Sequence, residues 1–320
     1  MKILILGVGG IGCYYGAKLQ RAGHQLTYVA RGCHLQAMQK YGLTVKHESF
    51  NFNEPVVALS LRQLLADHYC AYFDLIVLCL KSIDSERFLS DIRYWLVQGS
   101  CPVLSLQNGV DNEAVIASVV GKPRTLGGLA IRIGVHIQQP GVVYAQGVAQ
   151  VIFGAWPNAI ESSINTALVE QWRMLFIKAG IDVQQSDDIQ QELWRKLLIN
   201  NGVNPLSAVT GLDTRSLTAN PILGRTIYTL MEETAMAAQC DGVELSKADI
   251  DDMFTLISNF DPIKTSMLVD LEKGRELELD AISGAVLQRC QLHQLKAPMT
   301  ELVDALLRVK VLQRNCVVSV

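Results

Sequence analysis

No apolar run in this chain approaches the roughly 18 residues needed to cross a bilayer, so a membrane-spanning helix is not expected. The eight cysteines, at positions 13, 33, 70, 79, 101, 240, 290 and 316, include no C-x-x-C pair. They read as reduced core residues of a cytoplasmic protein rather than a disulfide framework. Six histidines (24, 34, 47, 68, 136 and 293) show no metal-ligand spacing, and no metal is expected. An excess of basic charge is missing as well. The balance of 28 Lys+Arg against 31 Asp+Glu leaves a net charge of −3. No global positive field exists to recruit nucleic acid or an anionic membrane, although a local basic pocket for a phosphorylated ligand is not excluded. Internal repeats and low-complexity tracts are absent. What is present is apolar: 49% hydrophobic and only 18% charged residues over 320 positions, enough for a large core and about two domains.

The first half alternates short apolar runs with helical periodicity, the pattern of a parallel α/β sheet. Lys2–Leu6 reads as a strand, since its apolar run stops at Gly7 and lacks the cleavage site of a signal peptide. Ile11–Ala22 reads as a helix, and Gln25–Ala30, Leu75–Leu80 and Pro102–Leu106 as further strands. Gly141–Tyr144 and Ala149–Phe153 suggest a later β pair, Ile160–Ala179 an amphipathic helix and Ile181–Gln184 a last strand. Beyond Ser186 the periodicity is wholly helical. Ser186-Asp187-Asp188 suits a helix start, and Asn220-Pro221 and Asp261-Pro262 mark later boundaries. The expected architecture is an N-terminal Rossmann-type doubly wound sheet (residues 1–186) followed by an all-helical domain (187–320). The acidic cluster Asp249–Asp252 reads as a solvated helix face.

Gly7-Val8-Gly9-Gly10-Ile11-Gly12 fits the G-x-G-x-x-G dinucleotide fingerprint, and its position between a strand and a helix gives the pattern weight. Gly7 suits a tight turn, Gly9 backbone approach to a pyrophosphate, and Gly12 close helix packing. After the second strand, an NAD site usually offers an acid to the ribose 2′-hydroxyl. This chain offers Arg31 instead, whose planar cation suits a 2′-phosphate and favours NADP over NAD; a solvent-facing loop residue is the competing reading. Lys81, just past the Leu75–Leu80 strand, is either a phosphate neutraliser or a surface lysine.

In the helical half, Lys196, Asn200 and Asn204 lie four residues apart and line one face of an otherwise apolar helix. An ammonium and two amides facing a cleft suit an anionic, oxygen-rich substrate; amides bonded within the protein are the competing reading. Pro205 should kink this helix, and Gly202 would admit a close backbone or ligand. Lys264-Thr265-Ser266-Met267 and Glu278 carry no signal from spacing alone.

Taken together, these features resemble the ketopantoate reductase (2-dehydropantoate 2-reductase) family through nearly the whole chain, to about Lys310. The resemblance rests on the glycine fingerprint, Arg31, Leu80-Lys81, Leu106-Gln107-Asn108-Gly109 and Glu192-Leu193-Trp194-Arg195-Lys196-Leu197. It continues in Asn200, Asn204-Pro205-Leu206, Ser266-Met267 and Glu278-Leu279-Asp280-Ala281-Ile282-Ser283-Gly284. It implies NADPH-dependent reduction of 2-dehydropantoate to pantoate, on the route to pantothenate and coenzyme A. By the same resemblance Lys196 is the general acid and Asn108 lies between nicotinamide ribose and substrate. Glu278 stands near cofactor and reacting centre, and Asn200, Asn204 and Ser266 bind substrate. Two positions depart from the family pattern: Thr265 replaces a frequent serine, and Thr214 stands where some members carry a further substrate asparagine. A reductase of another short 2-oxo acid, or a non-catalytic NADP-sensing protein, are the competing functions. A homodimer is neither required nor excluded.

Overall fold

In β1 (Lys2–Leu6) every residue after Lys2 is buried, because the strand is covered on both faces. The computed structural model describes residues 1–318, with side chains through Arg314. After β1 come α1 (Gly10–Arg21), β2 (Gln25–Val29), α2 (Gly32–Tyr41), β3 (Leu43–His47), β4 (Phe50–Glu54) and β5 (Val57–Leu59). Next are α3 (Leu61–Asp67), β6 (Leu75–Leu78), α4 (Ser85–Asp91), α5 (Arg93–Val97), β7 (Val103–Ser105) and α6 (Asn112–Val120). A long hairpin of β8 (Thr125–Gln139) and β9 (Val142–Ala155), then α7 (Thr166–Lys178) and β10 (Val183–Gln185), complete this part.

The ten strands form one sheet in the order β4-β3-β9-β8-β7-β6-β1-β2-β5, with β10 also paired to β9. From β5 through β2, β1, β6 and β7 to β8 all pairings are parallel, which is the doubly wound dinucleotide-binding order. Successive side chains of a strand point to opposite faces, and the core divides accordingly. Ile3, Ile5, Leu75 and Val77 join Tyr14 and Tyr15 of α1 and Trp172 and Phe176 of α7. Leu4, Leu6, Ile76 and Leu78 join Leu64 of α3, Leu89 of α4, Trp95 and Leu96 of α5 and Ile116 of α6. Each such Leu or Ile contributes about 1.5–3 kcal/mol by leaving water, so the central strands anchor the sheet from both sides.

Three features differ from the sequence expectation. Gly141–Tyr144 and Ala149–Phe153 are not a pair. They are two stretches of the single strand β9, whose antiparallel partner is β8. The start of β9 also pairs with β3 and its end with β10. The helix expected over Ile160–Ala179 begins only at Thr166, where Asn165 accepts a hydrogen bond from the Ala167 amide and caps it. The cysteines are free thiols among the described side chains, but not all are core: Cys33 is exposed and Cys79 and Cys240 are partly so. Cys316 lies outside the described side chains.

The chain divides into two units: Met1–Gln107 with Asn112–Gln190, and Asn108–Asp111 with Gln191–Val320. The second contains α8 (Ile189–Thr210, from its third residue), α9 (Thr214–Ala219), α10 (Pro221–Cys240), α11 (Lys247–Ser258), α12 (Ser266–Glu272), α13 (Ala285–Leu292) and α14 (Pro298–Val318). No strand occurs among its described residues. α8 continues past Pro205 to Thr210. Gly202 admits neither backbone nor ligand; a Cβ there would meet the Met231 side chain of α10 at 3.1 Å, so the glycine serves helix packing. No described helix is long and apolar enough to cross a membrane.

Candidate active site

In the first unit, the turn Gly7–Gly9 leaves the carboxyl end of β1, where strand order reverses between β1 and β6, the usual place for a ligand crevice in an open α/β sheet. Gly7 adopts φ +93°, and a Cβ would lie 2.6 Å from the Leu80 backbone nitrogen, so both conformation and space demand glycine. Gly12 is excluded from any larger residue by the Gly7 carbonyl and by Ile5. Gly10 packs against the Val135 backbone of β8. Gly9 is different. Its backbone is ordinary extended chain (φ −81°, ψ −163°), and an added Cβ would touch nothing within 4 Å. The protein itself gives no reason for glycine there, whereas a phosphate approaching the backbone does.

The N-terminus of α1 has no side-chain cap and no acidic residue in its first turn, so its dipole and free N–H groups favour an anion. Val8 is buried and Ile11 half-buried in this turn. Nearby thiols stay neutral: burial pushes Cys79 up to about 12 and Cys13 higher still, so neither opposes an anion. Arg31 stands at the carboxyl end of β2, where α2 begins; its side chain is 92% exposed and lies 3.5 Å from Asp84. Half-buried Lys81 stands three residues past β6, which ends at Leu78 rather than at the expected Leu80. These residues fit a phosphorylated dinucleotide. Gln107 ties the loops after β6 and β7 together by donating to the Leu80 carbonyl (2.9 Å) and to Ser85 Oγ (2.6 Å). Ser85 Oγ donates in turn to Asn112 Oδ1 at 3.2 Å.

In the second unit, Lys196 Nζ donates to Asn108 Oδ1 at 3.1 Å, and Asn108 Nδ2 donates to Glu278 Oε2 at 3.0 Å. Both ends of the Asn108 amide are engaged, with oxygen toward ammonium and nitrogen toward carboxylate, which fixes its orientation. Lys196 comes from α8. Glu278 stands just before a π-turn over Asp280–Gly284 that leads into α13, a local geometry often found at functional sites. Gly109 lets the Asn108 loop lie against this turn; at φ +98°, its Cβ would be 2.9 Å from the Ala281 carbonyl oxygen.

Asn200 is half-buried and Asn204 nearly buried on the Lys196 face of α8. Neither side-chain amide is hydrogen-bonded among the described residues. Asn201, which spacing did not single out, carries the internal bonds instead: it donates to Thr234 (3.0 Å) and Thr300 (3.3 Å), pinning α8 to α10 and α14. Ser266 is exposed at the first position of α12. No hydrogen bond among the described residues joins it to Lys196. Of the acidic cluster, Asp249 caps α11 through Ser246, and Asp251 accepts from Tyr228 and Lys247. No metal-binding group of residues occurs among those described.

A match to known families decides how these two sites are read. Residues 3–158 match ketopantoate reductase PanE/ApbA, and residues 188–311 match the C-terminal part of the same family. The chain belongs to the ketopantoate reductase family. A 2-dehydropantoate 2-reductase of Pyrococcus horikoshii is 30% identical over 314 residues, which is 97% of each chain. A solved 2-dehydropantoate 2-reductase of Geobacter metallireducens has a TM-score of 0.86 at 28% identity, covering 97% of this chain and all of that one. D-mandelate dehydrogenase, solved with NADH and anilino(oxo)acetate, has a TM-score of 0.89 at 23% identity over 98% of this chain and 99% of its own. That likeness shows a common fold.

Membership of the ketopantoate reductase family makes the protein an oxidoreductase. Its two departures have local explanations. Thr265 is the N-cap of α12 and accepts from the Leu268 amide at 3.2 Å, a task serine also performs. Thr214 is buried and donates to the Asp261 carbonyl at 3.1 Å, so its hydroxyl holds the segment before α12.

Proposed function

We propose that the protein reduces 2-dehydropantoate to (R)-pantoate with NADPH, in pantothenate and coenzyme A biosynthesis, with Lys196 as general acid. Residues 1–186 hold the cofactor, through Gly7–Gly12, Arg31 and Lys81. Residues 187–320, with Asn108, supply substrate binding and catalysis. The hydrogen-bonded chain Lys196–Asn108–Glu278 carries this reading. NADPH, when bound, supplies the hydride for the 2-oxo carbon. Lys196 donates a proton to the substrate oxygen as it gains negative charge, and the amine left behind recovers its proton from solvent. Asn108, fixed by Glu278, aims the ammonium and would bind substrate. The Asn200 and Asn204 amides and the Ser266 hydroxyl bind the substrate's oxygens. Arg31 pairs with the 2′-phosphate, which accounts for an arginine so exposed on a loop that its Asp84 pair contributes little stability. The free thiols suit a reducing, cytoplasmic setting.

One observation favours a neighbouring reading: with the Thr214 hydroxyl committed to Asp261, the pocket lacks an amide at that position, so another short 2-oxo acid is the second candidate. The deciding assay follows NADPH and NADH oxidation with 2-dehydropantoate and with analogues lacking its hydroxyl or its methyl groups. The reading expects 2-dehydropantoate to have the highest kcat/KM. Arg31→Ala should raise the KM for NADPH about 10- to 100-fold, the worth of a charge-assisted hydrogen bond, and leave NADH nearly unchanged. A better analogue overturns the substrate assignment; equal losses with the two cofactors overturn the role of Arg31.

A further inference from the structure

The loop carrying Asn108 is held at both ends. At its far end Asp111 Oδ1 accepts from Arg289 Nη2 at 2.6 Å. Arg289 is itself fixed before the loop reaches it. Its side chain is only 12% exposed. Asp241, just past the end of α10, accepts from Nε through Oδ1 at 3.2 Å and from Nη2 through Oδ2 at 2.8 Å, so the guanidinium plane is set by a two-point pairing. The ring of Trp194 lies 5.4 Å from the guanidinium carbon, within range for a cation–π contact. Trp194 precedes Lys196 by two residues on α8. One side chain therefore touches both the helix that carries the ammonium and the loop that carries its acceptor. Val110, between the two anchored ends, is buried.

We propose that Arg289 is a positioning residue for the reaction: it docks Asp111 and so sets the place of the Asn108 amide against Lys196 and Glu278. This rests on the catalytic reading of Lys196, though the loop geometry does not. A four-residue loop pinned at residues 108 and 111 has little slack. Releasing Asp111 lets Asn108 drift, and a shift of about 1 Å at a reacting group can cost on the order of 100-fold in rate. Lysine is no substitute, since a point charge cannot hold Asp241 in two places and serve Asp111 as well.

The test is a double-mutant cycle on kcat with Arg289→Gln and Asn108→Ala, in which wild-type enzyme is assayed alongside. Arg289→Gln should lower kcat about 10- to 100-fold with the KM for NADPH little changed, and Arg289→Lys should recover only part of that loss. In the Asn108→Ala background the same substitution should cost less than about threefold, because the group it positions is gone. A loss of equal size in both backgrounds would make Arg289 a general stabiliser and overturn the proposal. Should Arg289→Gln fail to fold, Asp111→Ala, at a half-exposed loop carboxylate, replaces it in the same cycle. A second readout needs no turnover. The side-chain amide signals of Asn108, assigned by their disappearance in Asn108→Ala, should shift or broaden in Arg289→Gln or Asp111→Ala; unchanged signals refute the positioning role. Wild-type protein with no oxo-acid activity would count against the catalytic reading alone, and the amide signals would still decide whether Arg289 holds the loop.

Discussion

Replacing Lys196 by alanine removes the one group assigned to hand a proton to the substrate. The magnitude follows from the charge it carries. A unit charge about 4 Å from a forming alkoxide is worth on the order of 4 kcal/mol at an effective dielectric near 20. At about 1.4 kcal/mol per decade of rate, the loss is about a thousandfold in kcat, inside the ~10²–10⁴ typical of general acid catalysis. Stability should suffer less: the substitution removes the hydrogen bond to Asn108 at 3.1 Å, and a hydrogen bond from a charged group is worth about 1.5–3 kcal/mol. Single-turnover and steady-state kinetics, with NADPH affinity from fluorescence titration, separate the two. The expected outcome is an unchanged cofactor affinity, a melting temperature lowered by only a few degrees and kcat lowered about a thousandfold. A small primary amine added to the assay should restore part of the rate. Turnover within about threefold of wild type would remove Lys196 from the chemistry, whatever its place in the hydrogen-bonded chain.

Much of the fold was legible because its signals are local. The first strand, the glycine turn and the helix after it follow one another directly, and Lys196, Asn200 and Asn204 declare themselves by helical spacing. The β8–β9 hairpin did not. Gly127 and Gly128 interrupt the alternation of β8, since a Cβ at Gly128 would sit 2.8 Å from the Ser105 carbonyl oxygen of β7. A tertiary contact thus erased the local pattern. β3 and β4 do alternate, but β3 also pairs with β9, about a hundred residues on, which no window of sequence reveals. The same limit governs the site. Asn108 and Glu278 are 170 residues apart, and both stand in irregular segments without periodicity. Family resemblance alone pointed to Glu278. Asn200 and Asn201 are the same residue type side by side, yet the second turns about 100° around the helix into the core, where Thr234 and Thr300 await it. Arg289 looks like any helix-surface arginine until Asp111, Asp241 and Trp194 are assembled around it.

The two outer glycines of the turn should separate ligand from fold. Gly9→Ala meets open space in an ordinary backbone conformation, so thermal melting should move little while NADPH affinity falls at least about tenfold; Gly7→Ala should instead lower the melting temperature, being strained at φ +93° and too close to Leu80. Unchanged cofactor affinity in Gly9→Ala would argue that nothing approaches that backbone. His34 predicts a pH dependence of stability. Its Nδ1 accepts from the Gly141 amide at 3.1 Å, so Nε2 holds the proton and faces Cys13 Sγ at 3.6 Å. Burial lowers the pKa of His34, and the folded state therefore favours the neutral ring. A histidine with a depressed folded pKa contributes stability that is complete above its unfolded value, about 6.5, and is lost as pH falls through the lower folded value. Protonation places a hydrogen on Nδ1 opposite the Gly141 N–H, and losing that acceptor costs about 1 kcal/mol. Cys13 does not titrate in this window, because burial holds it as a neutral thiol. His24 does, since burial and the N-terminal ammonium lower it too, so His24→Ala serves as the background. Melting temperatures in that background should fall by about 1–2 °C between about pH 7.5 and pH 5. The added change His34→Phe should flatten that slope. Equal slopes with and without His34 would show that its bond to Gly141 carries no share of the acid sensitivity.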